Sequence, residues 1–350
     1  MGSNKTFTGN FFEDFRVGQV LKHATPRTVS EGDVALYTAL YGPRFALNSS
    51  DEFARSVGLP RAPVDDLLAF HMVFGKTVPD VSLNAVANLG YANGKFGVPL
   101  YPGDTVTTTS TVTGLKQNSN GKTGVVYVNS VGKNQHGHVV LDYSRWVMVN
   151  KRDESKPAPE PVTPDLPSAV AADQLHVPTT LRIENYDFGL SGDKFHWDDY
   201  QAGEKIDHVD GMTIEEAEHQ LATRLYQNTA KVHFDQFAAN QGRFKRRLIY
   251  GGHIISLARC LSFNGLANAF RVLAINGGSH ANPTFAGDTI YAYSEVLEKI
   301  ELPGRRDVGA LRVRLVATKN RPAADFPYKK DGKYEDAVVL DLDYTLALPR

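Results

Sequence analysis

At 350 residues and 42% hydrophobic, the chain is long for one core and suits two domains of ordinary size. Its 38 Lys and Arg against 39 Asp and Glu leave a formal net charge of -1, which removes a broad electrostatic grip on nucleic acid or anionic membrane and leaves room for a small anionic ligand. Its one cysteine, Cys260, lies in an apolar helical pattern, no apolar run is long enough to span a bilayer, and the polar start MGSNKTFTGN lacks the layout of a secretion signal; a soluble protein of the reducing cytoplasm is expected.

The second half of the chain echoes the first at a nearly constant offset. Phe15-Arg16-Val17-Gly18 corresponds to Tyr200-Gln201-Ala202-Gly203 (203 − 18 = 185), and Tyr41 corresponds to Tyr226 (226 − 41 = 185). Gly103-Asp104-Thr105 meets Gly287-Asp288-Thr289 (287 − 103 = 184), so one residue is lost between the halves. Each half opens with a short strand-like run and a capping-box pattern, Thr28 with Glu31 and Thr213 with Glu216, which predicts a helix start at both places. A second, apolar helix is predicted near Val64 to Phe74 and again from Gly252 to Phe270. Alternating β-branched segments follow: Thr105 to Val112, Gly124 to Val131 and Val139 to Val149, then Thr289 to Leu297, Ala310 to Thr318 and Val338 to Leu346. Between the halves, Lys151 to Pro178 is too rich in proline and polar residues to pack as a helix or a central strand. The pattern predicts an α+β protein with units at 1–150 and 179–350 and a linker at 151–178. Each sheet would wrap around its apolar helix, and the two sheets would meet edge to edge, a double hotdog arrangement.

The chemistry concentrates in Leu221 to Leu257. His233 lies five positions after Asn228 and two before Asp235, in a polar turn where an imidazole can exchange a proton with bound water near neutral pH. The corresponding first-half positions hold Asn48, Pro43 and Ser50 (233 − 48 = 185), so an acid/base group is expected in the second half alone. Gly251 and Gly252 begin the apolar helix, where free backbone N–H groups and the helix dipole suit a developing oxyanion; close packing of small residues would explain them as well. His253 is read as a core or substrate-lining residue. In the basic connector, Arg243, Arg246 and Arg247 are candidates for holding an anionic ligand bidentately, with a solvated charge run as the alternative. Gly75-Lys76-Thr77 and Gly121-Lys122-Thr123 end like phosphate loops but lack the first glycine. His136 and His138 lack a complete ligand set, so no metal is expected.

The segment Asn228 to Asp235 followed by Ile249 to Ile255 resembles the motif of the MaoC-type, or R-specific, enoyl-CoA hydratases. In that motif an aspartate and a histidine separated by four residues hold the attacking water, and a glycine N–H binds the thioester oxygen. Longer stretches, TVSEGDVALYTALYG, VPDVSLNAVANLGYA, GEKIDHVDGMTIEEAEHQLATRLYQNTAKVHF and YGGHIISLARCLSFNGLANA, are similar to the branch of the family that acts on mesaconyl-CoA. The resemblance implies a double hotdog hydro-lyase that reversibly hydrates a branched dicarboxylic enoyl-CoA. It also implies no cofactor beyond the substrate's own coenzyme A and an acyl-CoA as partner; the exposed edges of hotdog sheets lead to an expected homo-oligomer. Carried over by position, the resemblance gives His233 as acid/base and Gly252 as oxyanion donor, and Asp235 is expected to orient His233. Asn228 stands in the aspartate's place and Gly251 where many hydratases have histidine. An amide orients water but cannot accept its proton; it also spares a substrate carboxylate the repulsion of a like charge. A hydratase of other acyl chains, a hotdog thioesterase and a non-catalytic acyl-CoA-binding protein remain as alternatives.

Overall fold

The computed structural model describes residues 5–350; Met1–Asn4, the beginning of the polar N-terminal run, lie outside the described residues. In the first half, strands β1 (Val20–Thr28), β2 (Ala85–Phe96), β3 (Thr105–Gln117), β4 (Thr123–Lys133) and β5 (Val139–Asn150) form one antiparallel sheet in the order β1-β3-β4-β5-β2. Along β3 the Thr, Ser and Val side chains alternate between buried and more exposed, as a strand with one face on a core requires. The helix Asp66–Thr77 runs across the inner face, and every residue from Leu67 to Thr77 is buried. A helix buried all round has to be apolar all round, which DLLAFHMVFGKT nearly is.

The second half repeats this plan with β6 (Lys205–Asp207), β7 (Met212–Thr213), β8 (Arg271–His280), β9 (Thr289–Glu301), β10 (Val308–Lys319), a small ribbon of β11 (Lys329–Lys330) and β12 (Lys333–Tyr334), and β13 (Val338–Pro349). Its central helix is Gly251–Leu261, buried from Gly252 onward. The main sheet runs β1-β3-β4-β5-β2-β8-β13-β10-β9-β6, with β7 on β9, so the two hotdog modules share one continuous 11-stranded sheet. Residues 151–178 carry one short 3-10 turn, Ala172–Gln174, and one bridge, Val162 with Leu115.

Three sequence expectations are corrected. The first helix is capped by Ser30 with Asp33 rather than by Thr28 with Glu31, and its counterpart Glu216–Leu225 has no side-chain cap at Glu215. The threonines serve the strands instead: Thr28 shares a hydroxyl hydrogen bond with Thr105 (2.7 Å), and Thr213 shares the same bond with Thr289 (2.8 Å). The second central helix stops at Leu261, well short of Phe270, because Asn264 and Gly265 leave helical geometry. Strands β2 and β8 are absent from the sequence reading, yet they form the seam, with Tyr91 opposite Gly278 and Lys95 opposite Ala274. Their composition, AVANLGYANGKF and RVLAINGGSH, looks turn-like. The glycines are there for close approach: a Cβ on Gly90 would lie 2.4 Å from the Trp146 ring, and one on Gly278 would lie 3.0 Å from Tyr91.

Tyr226 donates its hydroxyl hydrogen to the Tyr41 hydroxyl at 2.7 Å, both side chains being buried. These are the same residue of the repeat, 185 positions apart, so the bond marks the pseudo-twofold axis between the halves. The axis passes beside the stretch that carries the candidate chemistry.

Candidate active site

After the helix Glu216–Leu225, Gln227 takes a left-handed conformation (φ 54°) and turns the chain so that Asn228 is buried at 1% exposure. The Asn228 Oδ1 accepts the Ala230 N–H at 3.1 Å. That local turn leaves the amide NH2 as the part of the group free to meet a ligand. A short helix, Lys231–Phe234, follows and carries His233.

The His233 Nδ1–H donates to the Leu248 carbonyl oxygen at 2.7 Å. A carbonyl only accepts, so the proton is on Nδ1 and Nε2 keeps its lone pair. Burial lowers the imidazole pKa to about 4, partly opposed by the Leu248 bond, so the ring is neutral at pH 7. A neutral imidazole with an oriented, unprotonated Nε2 is what a general base needs.

His233, Asn228 and Gly251 line a cavity of about 340 Å³ that opens between the two halves. Gly251 is the first residue of the central helix, so its amide has no intrahelical acceptor. A side chain there would collide with His280, whose ring would lie 2.3 Å from the added Cβ. Gly252 is not on the cavity wall; a Cβ there would meet Tyr250 and His71, and it faces the core. The glycine with access is therefore Gly251, one position before the expected oxyanion donor.

Other candidates sit elsewhere. Asp235 caps the helix Gln236–Ala239 by accepting the Ala238 N–H at 3.0 Å, and the group that orients His233 is the Leu248 carbonyl. Asp235→Ala is therefore expected to cost about 1 kcal/mol of stability while leaving kcat within about a factor of three, measured by denaturation and steady-state kinetics. His253 is a core residue, 1% exposed, with Nδ1 against the Tyr41 hydroxyl at 2.8 Å; it does not line the cavity. None of the three connector arginines reaches the cavity wall. Arg243 lies over the Phe244 ring, Arg246 donates to the Ala286 carbonyl, and Arg247 is held by Gln220 and Glu216.

His280 and Arg145 line the cavity and are absent from the candidates of the sequence reading. His280, at the end of β8, has Nε2 at 3.2 Å from the Tyr91 hydroxyl and a buried Nδ1 without a hydrogen-bond partner. Burial, with the neighbouring His233, lowers its pKa to about 4. Arg145, on β5, comes from the first half, so the cavity does not belong to the second half alone. Its signal was the alternation Leu141, Tyr143, Arg145, Val147, Val149, which puts a guanidinium on the inward face of an otherwise apolar series. Among the described residues, no three His, Cys, Asp or Glu side chains gather in a way that could hold a metal ion.

Residues 3–328 match the family model described as mesaconyl-CoA hydratase. The chain belongs to the mesaconyl-CoA hydratase family. A β-methylmalyl-CoA dehydratase of Chloroflexus aurantiacus is 66% identical over 99% of this chain and 99% of its own length. A mesaconyl-CoA hydratase of Cereibacter sphaeroides is 61% identical over 99% of this chain and 100% of its own. Among solved structures, a MaoC domain protein dehydratase from Chloroflexus aurantiacus J-10-fl superimposes with a TM-score of 0.97 at 66% identity, covering 99% of each chain. Family membership and the double hotdog fold thus agree with the sequence expectation. No helix among the described residues is long and apolar enough to cross a membrane.

Proposed function

We propose that this protein catalyses the reversible addition of water to mesaconyl-CoA, giving β-methylmalyl-CoA. The thioester oxygen sits at the start of the helix Gly251–Leu261, where the Gly251 N–H and the positive end of the helix dipole stabilise the enolate oxygen. Water bound at His233 Nε2 gives its proton to that nitrogen as its oxygen bonds to the carbon bearing the distal carboxylate. The same imidazole returns the proton to the α-carbon, and the double bond is consumed. Dehydration is the reverse: His233 removes the α-proton and then protonates the departing hydroxide.

Asn228 takes no proton in this scheme; its NH2 orients water or substrate. The single observation that carries the reading is the His233 Nδ1–H bond to Leu248, which leaves an unprotonated nitrogen in a cavity beside a helix N-terminus. The reading divides the labour between residues 1–150 and 179–350 and calls on no cofactor beyond the coenzyme A of the substrate. It carries with it a cytoplasmic setting, where the buried thiol of Cys260 stays reduced. Sheet edges at β1 and β6 are where copies of the chain would associate as a homo-oligomer.

Mixing the purified protein with mesaconyl-CoA is expected to remove the absorbance of the conjugated double bond without releasing thiol. Released coenzyme A, detected with a thiol reagent, would instead mark a thioesterase. Unchanged absorbance with saturable binding would mark an acyl-CoA-binding protein.

A further inference from the structure

We infer that Arg145 recognises the distal carboxylate of the acyl chain and so sets the preference for dicarboxylic thioesters; this rests on the reading of the cavity as the acyl site.

Arg145 is 1% exposed, yet no Asp or Glu among the described residues lies within ion-pair distance of it. Arg271, buried to a similar degree, has Asp66 at 3.6 Å. The partners of Arg145 are all neutral: the Thr77 hydroxyl at 2.7 Å, the Ser82 hydroxyl at 3.4 Å, the Asn88 Oδ1 at 3.5 Å and the face of Phe74 at 4.3 Å. Its Nε has no hydrogen-bond partner. A buried guanidinium whose partners are all neutral and which keeps an unused donor carries an uncompensated charge, which is costly in a folded core.

The cavity wall shows where the compensation comes from. Among the described residues, no Asp or Glu lines it, and Arg145 is its single Lys or Arg. With His233 and His280 neutral, the cavity carries one formal charge, positive and fixed. Asn228, where the family motif has aspartate, keeps that charge unopposed. Guanidinium binds carboxylate through two parallel hydrogen bonds, so it also fixes the plane and direction of the group that it holds. A carboxylate held there would present the adjacent carbon to His233.

The repeat argues against a merely structural role. Leu141-Asp142-Tyr143 on β5 recurs as Leu342-Asp343-Tyr344 on β13 (344 − 143 = 201), so Arg145 corresponds to Leu346 (346 − 145 = 201). Leu346 is fully buried. The fold therefore accepts a plain apolar side chain at this place, and the charge is an addition in the half that lacks the base.

The test compares mesaconyl-CoA with 2-methylcrotonyl-CoA, which has a methyl group in place of the distal carboxylate. In Arg145→Met, the ratio of kcat/KM for the first over the second is expected to fall about a hundredfold, the scale of a lost buried charge pair. Arg145→Lys should restore part of that ratio, since it keeps the charge without the planar fork. An unchanged ratio in Arg145→Met, with both substrates losing equally, would overturn the proposal. A measurement on the unaltered protein guards against a variant that fails to fold: succinyl-CoA should inhibit or bind at least tenfold more tightly than butyryl-CoA, and equal affinities would overturn the proposal as well. Wild-type protein inert toward mesaconyl-CoA would refute the hydratase reading, while the succinyl-CoA and butyryl-CoA comparison would still decide the role of Arg145.

Discussion

His233→Ala is expected to lower kcat for mesaconyl-CoA hydration by about 10²- to 10⁴-fold, the range for loss of a positioned proton-transfer group. The variant should still fold, because His233 sits on a four-residue helix at the cavity wall, where alanine keeps the backbone bond to Ala230 and gives up the imidazole bond to the Leu248 carbonyl. Added imidazole should restore part of the rate if the defect is the missing base. The pH profile gives a second check. The pKa is depressed to about 4, so the active neutral ring prevails above that pH, and kcat/KM should stay level from pH 8 down to about 5 and fall below it. A profile that breaks near 6.5, the ordinary value for histidine, or an alanine variant with near-normal turnover, would remove His233 from the mechanism.

Acid should unfold this protein well before ordinary carboxylate titration is complete. His71, His208, His219 and His253 are each 0–1% exposed, and burial lowers their pKa values to about 3, 4, 2 and 3. They are held neutral by their surroundings: His71 Nε2 meets the Ser256 hydroxyl at 2.9 Å, and His219 Nε2 accepts the Tyr250 N–H at 2.9 Å. Once unfolded, all four take up protons below about pH 6.5. Between pH 6.5 and about 4 the unfolded chain therefore binds more protons than the folded one, and stability rises with pH and is lost as pH falls. Asp65 and Asp66 act in the opposite direction, since burial raises both, Asp66 to about 6. The lowered histidines outnumber these two carboxyls, so the net dependence keeps the sign set by the histidines. Calorimetry at pH 7, 6 and 5 should show a falling Tm and a net uptake of protons on unfolding. A Tm that is flat over this range would mean that these rings are already protonated or hydrated in the folded state.

The two-module plan was legible because the anchors of the repeat are short polar motifs with fixed jobs, such as Thr28 with Thr105 and Thr213 with Thr289. The seam was not legible, because β2 and β8 carry glycine where neighbouring strands and side chains press close, and glycine reads as a turn. His233 and Asn228 stood out because they are close in sequence and the repeat shows what the other half lacks. Arg145 is 88 positions from His233 (233 − 145 = 88), and only the joined sheets bring the two to one cavity. The role given to Asp235 failed for a general reason: the acceptor that orients His233 is a backbone carbonyl, and any residue type can supply one.

The Tyr41–Tyr226 contact has the form of a homodimer interface, in which each partner offers the same residue to the other. Two separate copies would part on dilution, and any substitution would appear on both sides of the dyad. Tethered in one polypeptide, the pair holds together whatever the protein concentration. Each copy is also free to change alone, so a cation gained by one and a base kept by the other can meet in a single asymmetric pocket.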